Sequence, residues 1–171
     1  MYKEVERLAR ERFGSSSDVG LDVYAQNTSS IAFHTKIGFR QHATLFRRAS
    51  RQVSPSGGGG VLIESEEGRV RLVVDEVSGQ VVGRFACVVS KEHAFGVSYG
   101  EYEYPYVFLE FAESKRRGVG QIILRELDVE AARANVGYVL TSISLSNVEG
   151  VRWLEKNGFV SYVCIFSRVI E

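Results

Sequence analysis

The sequence lacks an excess of charge of either sign: its 171 residues include 21 Lys plus Arg and 21 Asp plus Glu. Without net charge, no overall field attracts nucleic acid or an acidic membrane. Cysteine is also scarce, because only Cys87 and Cys164 occur, far apart and without the spacing of metal ligands. These absences argue against a disulfide framework, a metal site and a nucleic-acid partner, and they favour a reducing compartment.

Long apolar runs are missing as well. No stretch approaches the roughly 20 apolar residues that a membrane-spanning helix needs, and Met1–Arg7 is too charged for the apolar core of a secretory signal. We therefore expect a cytoplasmic protein that does not associate with a membrane. Hydrophobic residues nevertheless make up 44% of the chain, which is enough for a globular core.

A glycine-rich segment, Ser54–Gly60, is the clearest break in the sequence. Its four consecutive glycines would lose much conformational entropy in a helix or strand, so we expect a linker over residues 53–60. Residues 1–52 before it form a short first part, and residues 61–171 after it form a longer second part. The predicted organisation is therefore a partial unit, a linker and a core.

The first part is predicted to alternate helix, strand, helix and strand. Apolar spacing identifies the elements, cap residues at Asn27–Ser30 start the second helix, and a glycine stops it. The predicted bounds are a helix over Tyr2–Phe13, a strand over Leu21–Ala25, a helix over Ile31–Ile37 that ends at Gly38, and a strand over Ala43–Arg48.

The second part begins with strands and then alternates strands with helices. Ser78-Gly79 predicts a hairpin turn, and Pro105 indicates that the strand around it lies at an edge or has a bulge near its start. The predicted elements are strands over Val61–Glu64, Val70–Asp75, Val81–Ser90 and Tyr102–Phe111, a helix over Gln121–Asn135, a strand over Val139–Leu145, a helix over Val148–Asn157 and a strand over Tyr162–Phe166.

The end of the first part is similar to the end of the chain. Asn27–Phe39 ends in Lys-Ile-Gly-Phe and Asn147–Phe159 ends in Lys-Asn-Gly-Phe. Two further pairs follow the same shift, Phe46 with Phe166 and Arg48 with Arg168. We interpret this as a duplicated unit, in which Tyr2–Phe13 matches the later part of the long helix after a small change in loop length. The alternative is that Lys-x-Gly-Phe is a common way to end a helix.

A basic, glycine-containing loop, Lys115–Gly120, lies between a predicted strand and the long helix. The unpaired amides and partial positive charge of a helix N-terminus attract an anion, and glycines let the backbone approach it. The loop lacks the Lys-Ser/Thr of an NTPase loop, and Ile123 stands where a dinucleotide fingerprint has its third glycine. The loop therefore suits a diphosphate but disfavours ATP and NAD. The alternative is a basic turn whose glycines serve chain reversal.

Together with the capped helix that follows, this loop resembles two motifs of the GNAT superfamily of N-acetyltransferases. The first motif is a [Gln/Arg]-x-x-Gly-x-[Gly/Ala] loop, which Gly118 and Gly120 match and in which Lys115 replaces the usual Gln or Arg. The second is Asn…Tyr-Glu-Lys-x-Gly-Phe, which is matched at Asn147 and over Glu155–Phe159.

The resemblance covers the chain from about Val70 to its end, and Ser78–Gly83 is similar to the family's "Gly-x-[Ile/Val]-[Ile/Val]-Gly" hairpin. It implies an α+β fold with a mixed, mostly antiparallel sheet and flanking helices. The sheet would be splayed between the strand before the loop and the strand after the long helix, with acetyl-CoA as co-substrate in the gap and no metal. The implied cofactor-binding residues are Phe111, Ala112, Lys115, Arg116, Arg117, Gly118, Val119, Gly120, Asn147 and Lys156.

The resemblance also implies direct attack of an amine on the thioester, with a carboxylate or water as base and a Tyr as acid. Leu154 occupies the Tyr position and cannot donate a proton. The candidate catalytic residues are Glu110, Glu103 and Tyr104, with Glu101 as a further carboxylate. Solvated edge charges and ordinary packing of strand aromatic residues are the alternatives.

Two functions follow from the resemblance. The first is an acetyl-CoA-dependent N-acetyltransferase that acts on a small-molecule amine or a protein amino group. The second is a non-catalytic acyl-CoA-binding or interaction module derived from a tandem acetyltransferase. Leu154 and the absence of the family's first strand and two helices favour the second, whereas the intact loop favours cofactor binding. Residues 1–52 would cover the open sheet edge within one chain or across a homodimer.

Overall fold

The computed structural model describes residues 2–13, 17–53, 61–65, 70–90 and 105–170. The chain forms two compact units. The first unit combines residues 1–46 with residues 142–171, and the second unit comprises residues 47–141. The glycine-rich segment and the predicted start of a strand at Tyr102 lie outside the described residues.

The described residues form four helices and eight strands. In chain order they are α1 (Tyr2–Phe13), β1 (Ser17–Tyr24), α2 (Thr28–Lys36), β2 (Arg40–Ala49), β3 (Val61–Ser65), β4 (Val70–Asp75), β5 (Val81–Ser90), β6 (Tyr106–Ser114), α3 (Val119–Arg133), β7 (Tyr138–Ser144), α4 (Val148–Lys156) and β8 (Val160–Ile170). Hydrogen-bonded neighbours follow the order β1-β8-β2-β7-β6-β5-β4-β3. The pairs β1–β8, β3–β4, β4–β5 and β5–β6 are antiparallel, and β6–β7 is parallel. The predicted mixed, mostly antiparallel fold is confirmed.

Helix α3 is held in the second unit by an apolar stripe. Val119, Ile123, Leu127 and Ala131 recur every four residues, so they share one face of the helix, and all four are fully buried. This helix packs on β5 and β6, where Phe85 and other large residues complete the core. Because full burial of a Leu or Ile side chain contributes about 1.5–3 kcal/mol, packing is the main source of stability for α3.

A buried ion pair adds to this packing. The Nη2 atom of Arg48, near the end of β2, donates to Oδ1 of Asp128 on α3 at 2.7 Å, and both side chains are 4% exposed. The same carboxylate oxygen accepts from the amide of Arg51 at 3.1 Å. A carboxylate at this depth is tolerated because its charge is paired and hydrogen-bonded.

In the first unit, β1 pairs along its whole length with β8, from Ser17 opposite Ile170 to Tyr24 opposite Val163. Their inner side chains form a small apolar core against α2. Its members are Val23, Phe39, Cys164 and Phe166, with Val19, Leu21, Ala25, Ile31 and Ile37 packed around them.

The similarity between Asn27–Phe39 and Asn147–Phe159 recurs in the geometry of the first unit. Helices α2 and α4 have the same length and start and end at positions related by a constant shift of 120, as from Asn27 to Asn147. The amide of Ala25 donates to the carbonyl of Tyr162 at 3.0 Å, and the amide of Leu145 donates to that of His42 at 2.9 Å. Ala25 and Leu145 are related by the shift of 120, and so are His42 and Tyr162, so the two hydrogen bonds join equivalent positions.

Most predicted elements are confirmed, and α1, β4 and β5 have the predicted bounds at both ends. The edge strand β1 and its neighbour β8 are longer than predicted: β1 begins at Ser17 rather than Leu21, and β8 spans Val160–Ile170 rather than Tyr162–Phe166. The reason is their mutual pairing, which supplies backbone hydrogen bonds to residues such as Asp18 that have little strand propensity.

One part of a prediction is wrong. The strand after Pro105 is not at an edge, because β6 lies between β5 and β7 and begins at Tyr106. The alternative of a bulge near its start is closer, since the pairing of β5 with β6 is irregular at Glu110. Helices α1 and α3 end at Phe13 and Arg133, which are also related by a shift of 120, and the match of α1 to the later part of the long helix stays a prediction.

Candidate functional site

Strand β6 extends beyond its paired region with β7 before it reaches the basic loop. The β6–β7 pairing runs from Tyr106 opposite Tyr138 to Leu109 opposite Thr141, and β6 continues to Ser114. On its other side, β5 pairs Cys87 with Leu109 and Ala86 with Phe111, which leaves Glu110 as the extra residue of a β-bulge. A bulge turns the strand and redirects its backbone groups. Residues 110–118 are all exposed.

The start of α3 has an open cap. Gly118 is the N-cap residue with a φ of 93°, a left-handed conformation that glycine adopts without strain, and no side chain caps the helix. The turn is closed by the amide of Val119, which donates to the carbonyl of Arg116 at 3.3 Å. Across the part of the chain that is described, we find no protein acceptor for the amides of Arg117 and Gly118. These donors therefore face a region where an anion can accept them.

Helices α2 and α4 begin differently. The Oδ1 atom of Asn27 accepts from the amide of Ser30 at 3.0 Å, and that of Asn147 accepts from the amide of Gly150 at 2.9 Å. Each helix thus satisfies one of its own first-turn donors with an asparagine side chain. This contact accounts for Asn147 without a ligand, and its predicted role in cofactor binding stays a prediction.

The backbone of the basic loop lies close to the backbone of β5. The amide of Lys115 donates to the carbonyl of Val82 at 2.8 Å. A Cβ atom on Gly83 would lie 2.5 Å from Cγ1 of Val119 and 2.9 Å from the carbonyl oxygen of Glu113. Only glycine fits there, and its absence of a side chain allows the first residue of α3 to sit directly on the strand.

A buried carboxylate pairs with the loop from the side. Asp75, at the end of β4, accepts a hydrogen bond from Nη1 of Arg116 through Oδ2. Its Oδ1 accepts from the amides of Val77 and Ser78 at 3.1 and 2.9 Å and from the hydroxyl of Ser78 at 3.1 Å. The Ser78 amide, and next to it the Arg116 guanidinium, lower the pKa of Asp75 from 3.8 to about 2.

The remaining predicted cofactor residues differ in which groups they expose and in where they lie in the fold. Val119 is fully buried, so only its backbone is available at the loop, whereas Lys115 and Arg117 are exposed. Phe111 is on the exposed stretch of β6 with Ala112. Lys156 belongs to the first unit and is exposed in the last turn of α4.

Of the candidate catalytic residues, only Glu110 is among the described residues. Glu110 is exposed at the bulge of β6. Glu101, Glu103 and Tyr104 lie outside the described residues. Leu154, at the position of the family's Tyr, is buried at 3% exposure in the first unit and packs as a core residue. Within the described ranges, no group of three His, Cys, Asp or Glu residues is placed to hold a metal, and no helix is long and apolar enough to cross a bilayer.

Sequence reasoning missed the residues of the β4–β5 hairpin that hold the loop. Asp75 was interpreted as a strand end and Gly83 as part of a hairpin motif. The available signal was Asp75 followed by Ser78-Gly79, a pattern in which the carboxylate accepts turn amides. The distant partner Arg116 leaves no trace in the local sequence.

No protein-family model matches the chain, and no curated protein sequence matches it. Solved structures do match. A GCN5-related N-acetyltransferase from Sphaerobacter thermophilus has a TM-score of 0.60 and 14% identity, covering 99% of this chain and 67% of that chain. A GNAT-family acetyltransferase from Colwellia psychrerythraea has a TM-score of 0.60 and 12% identity, covering 99% and 72%. A tandem GNAT protein from the clavulanic acid biosynthesis pathway has a TM-score of 0.55 and 13% identity, covering 99% and 69%. The chain therefore has the fold of the GNAT N-acetyltransferases.

Proposed function

We propose that the chain binds acetyl-CoA at Lys115–Gly120 and transfers its acetyl group to an amine. The observation that carries the proposal is the open N-terminus of α3, with a glycine cap, exposed basic side chains and amides without a protein acceptor in the described chain. The solved structures that share the fold are named as acetyltransferases, which supports the same reaction class.

Each part of the loop has a role in this proposal. The amides of Arg117, Gly118 and Gly120 donate to the diphosphate, where the partial positive charge of α3 adds to the attraction. Lys115 and Arg117, whose side chains are exposed, supply the positive charges that balance the diphosphate. Val119 buries its side chain in the core and so fixes the position of the neighbouring amides.

The exposed part of β6 would orient the reacting groups. Beyond the bulge, the backbone amide of Phe111 or Ala112 donates to the thioester carbonyl oxygen, and charge that develops there is stabilised. Glu110, or a water molecule that it orients, accepts the proton of the attacking amine. The new N–C bond forms as the C–S bond breaks, and the thiolate leaves with a proton from solvent because Leu154 has none to give.

The second candidate is a module that binds acyl-CoA without turnover. The observation that favours it is Leu154, whose aliphatic side chain is buried in the core and cannot act as an acid. The two candidates share the cofactor site and differ only in the acceptor chemistry.

Calorimetric titration with acetyl-CoA tests the shared site. We expect one site per chain in the wild type and at least about a 100-fold loss of affinity in K115E/R117E, because two attractive charges become repulsive. R152E, an exposed charge reversal on α4, serves as the control and should bind like the wild type. Equal affinity in wild type and K115E/R117E would refute the site.

A thiol-release assay then separates enzyme from module. The assay would compare small amines, peptides with a free N-terminus and lysine peptides with a no-acceptor blank. Turnover above hydrolysis with any amine, reduced in E110Q without a change in acetyl-CoA affinity, supports the transferase. Acetyl-CoA binding without turnover on any of these amines supports the module.

A further inference from the structure

We propose that Asp75 is a positioning residue for the diphosphate-binding loop, acting through Arg116. This inference rests on the proposed function, since it assigns Arg116 as a link between hairpin and loop rather than as a ligand of the diphosphate. Binding charge would then come from Lys115 and Arg117.

The first argument is that hydrogen bonds hold Asp75 on several sides. Its Oδ1 accepts three hydrogen bonds from Val77 and Ser78, and its own amide donates to the carbonyl of Gln80 at 3.0 Å. The side chain is 13% exposed, so these bonds are shielded from water. A carboxylate held this way has Oδ2 in a fixed position, and that oxygen is the one that receives Arg116.

The second argument is charge. The Arg116 guanidinium lies against the Asp75 carboxylate, so its charge is balanced within the protein. If the Arg116 guanidinium moved to the diphosphate, the Asp75 carboxylate, which has a low pKa and a side chain 13% exposed, would lose its cation. The side chain therefore gains less from moving to the ligand than Lys115 or Arg117 does.

The third argument is geometry. The loop is already held by the Lys115 amide on Val82 and by the contact of Val119 with Gly83. Arg116 lies between these two points in the sequence, and its pairing with Asp75 adds a charged side-chain link from the hairpin to the loop. With all three contacts present, the amides that follow Arg116 are oriented before ligand arrives, which lowers the entropic cost of binding.

The experiment uses two variants that break the link from opposite ends. In D75N the side-chain oxygen still accepts the turn amides, but the amide nitrogen is a donor and cannot receive Arg116. R116Q removes the guanidinium at an exposed position, where folding is not at risk. E76Q, the same charge change one residue along in an exposed turn position, is the control.

We expect D75N and R116Q each to weaken acetyl-CoA binding about tenfold, as loss of one charge-assisted hydrogen bond would. The double variant should bind no worse than either single variant, because both remove the same link. Hydrogen exchange of the ligand-free protein should speed up in the peptide that contains residues 116–120 in both single variants. E76Q should match the wild type in both measurements.

The opposite results are distinct from one another. If R116Q weakens binding while D75N leaves it unchanged or tightens it, Arg116 is a direct ligand and the positioning role is refuted. If the wild type binds acetyl-CoA and all variants bind equally well, the positioning role alone fails. If the wild type binds no acetyl-CoA, the proposed function is refuted, and the positioning role of Asp75 is refuted as well.

Discussion

Helices α3 and α4 begin in opposite ways. Helix α4 starts at Asn147, whose side chain accepts the amide of Gly150, whereas α3 starts at Gly118, which has no side chain to offer. Both helices carry the same partial positive charge at their first turn. Helix α4 satisfies a first-turn donor with its own asparagine, and α3 has no side-chain cap. A helix that gives up its cap has to be held by other means, and α3 is held by an apolar stripe and a buried ion pair.

The largest expected effect tests this last point. D128N removes the carboxylate that faces Arg48 in the core, and we expect a loss of about 3–5 kcal/mol in the free energy of unfolding, because a buried cation loses its counter-charge. Urea denaturation monitored by circular dichroism measures it. E4Q removes an exposed carboxylate that pairs with Arg7 on α1, and it should leave stability nearly unchanged because solvent screens this pair. A loss in D128N as small as that in E4Q would mean that α3 is stabilised by packing alone.

The next test makes the start of α3 resemble that of α4. G118D places a carboxylate at the cap, where space is open because no atom lies within 4 Å of the added Cβ. We expect acetyl-CoA affinity to fall at least about 100-fold, through repulsion of the diphosphate and occupation of its donors. G118A is the matched control, since it introduces the same backbone strain without the charge. Calorimetry decides, and equal affinities in G118D and G118A would contradict an anion site.

The converse change removes the cap of α4. N147A should cost about 1 kcal/mol of unfolding free energy, the usual loss for an N-cap asparagine, and should leave acetyl-CoA affinity unaltered. N27A, at the equivalent position of α2, should lose a similar amount, because the two caps have nearly the same geometry. A fall in acetyl-CoA affinity specific to N147A would instead establish the predicted role of Asn147 in cofactor binding.

The smallest effect concerns pH. The pKa of Asp75 is lowered from its usual value of 3.8 to about 2 in the folded protein. Ionisation of Asp75 therefore favours the folded state over the unfolded state. The associated stability is present above about pH 4 and is lost as pH falls through about 2. Thermal unfolding of wild type and D75N between pH 5 and pH 2 should therefore converge at the acid end. A difference between them that is constant over this range would contradict the lowered pKa.

Sequence and structure agree where local rules decide. The glycine stops of α2 and α4, the Ser78-Gly79 turn and the loop before α3 follow from residue types and spacing, and Gly38, Gly79, Gly118 and Gly158 all have positive φ. Long-range partners were not predictable. Nothing near Asp75 in the sequence indicates Arg116, and the full length of β1 depends on pairing with β8 at the far end of the chain.

The repeat lies between these two cases. The shift of 120 was visible in the sequence, and the equivalent hydrogen bonds of Ala25 and Leu145 add a structural argument for it. That residues 1–52 and the end of the chain descend from one duplicated unit stays a prediction.

The pairing of β1 with β8 has a consequence for biosynthesis. Tyr24 leaves the ribosome long before Val163, its partner, since roughly 140 to 150 residues separate the paired positions. Until then the backbone amides and carbonyls of β1 lack this partner strand, and they are open to any chaperone that binds extended segments. The pairing of β1 cannot form until β8 has been synthesised. A nascent chain that is stalled before β8 would therefore leave the backbone groups of β1 open to other chains.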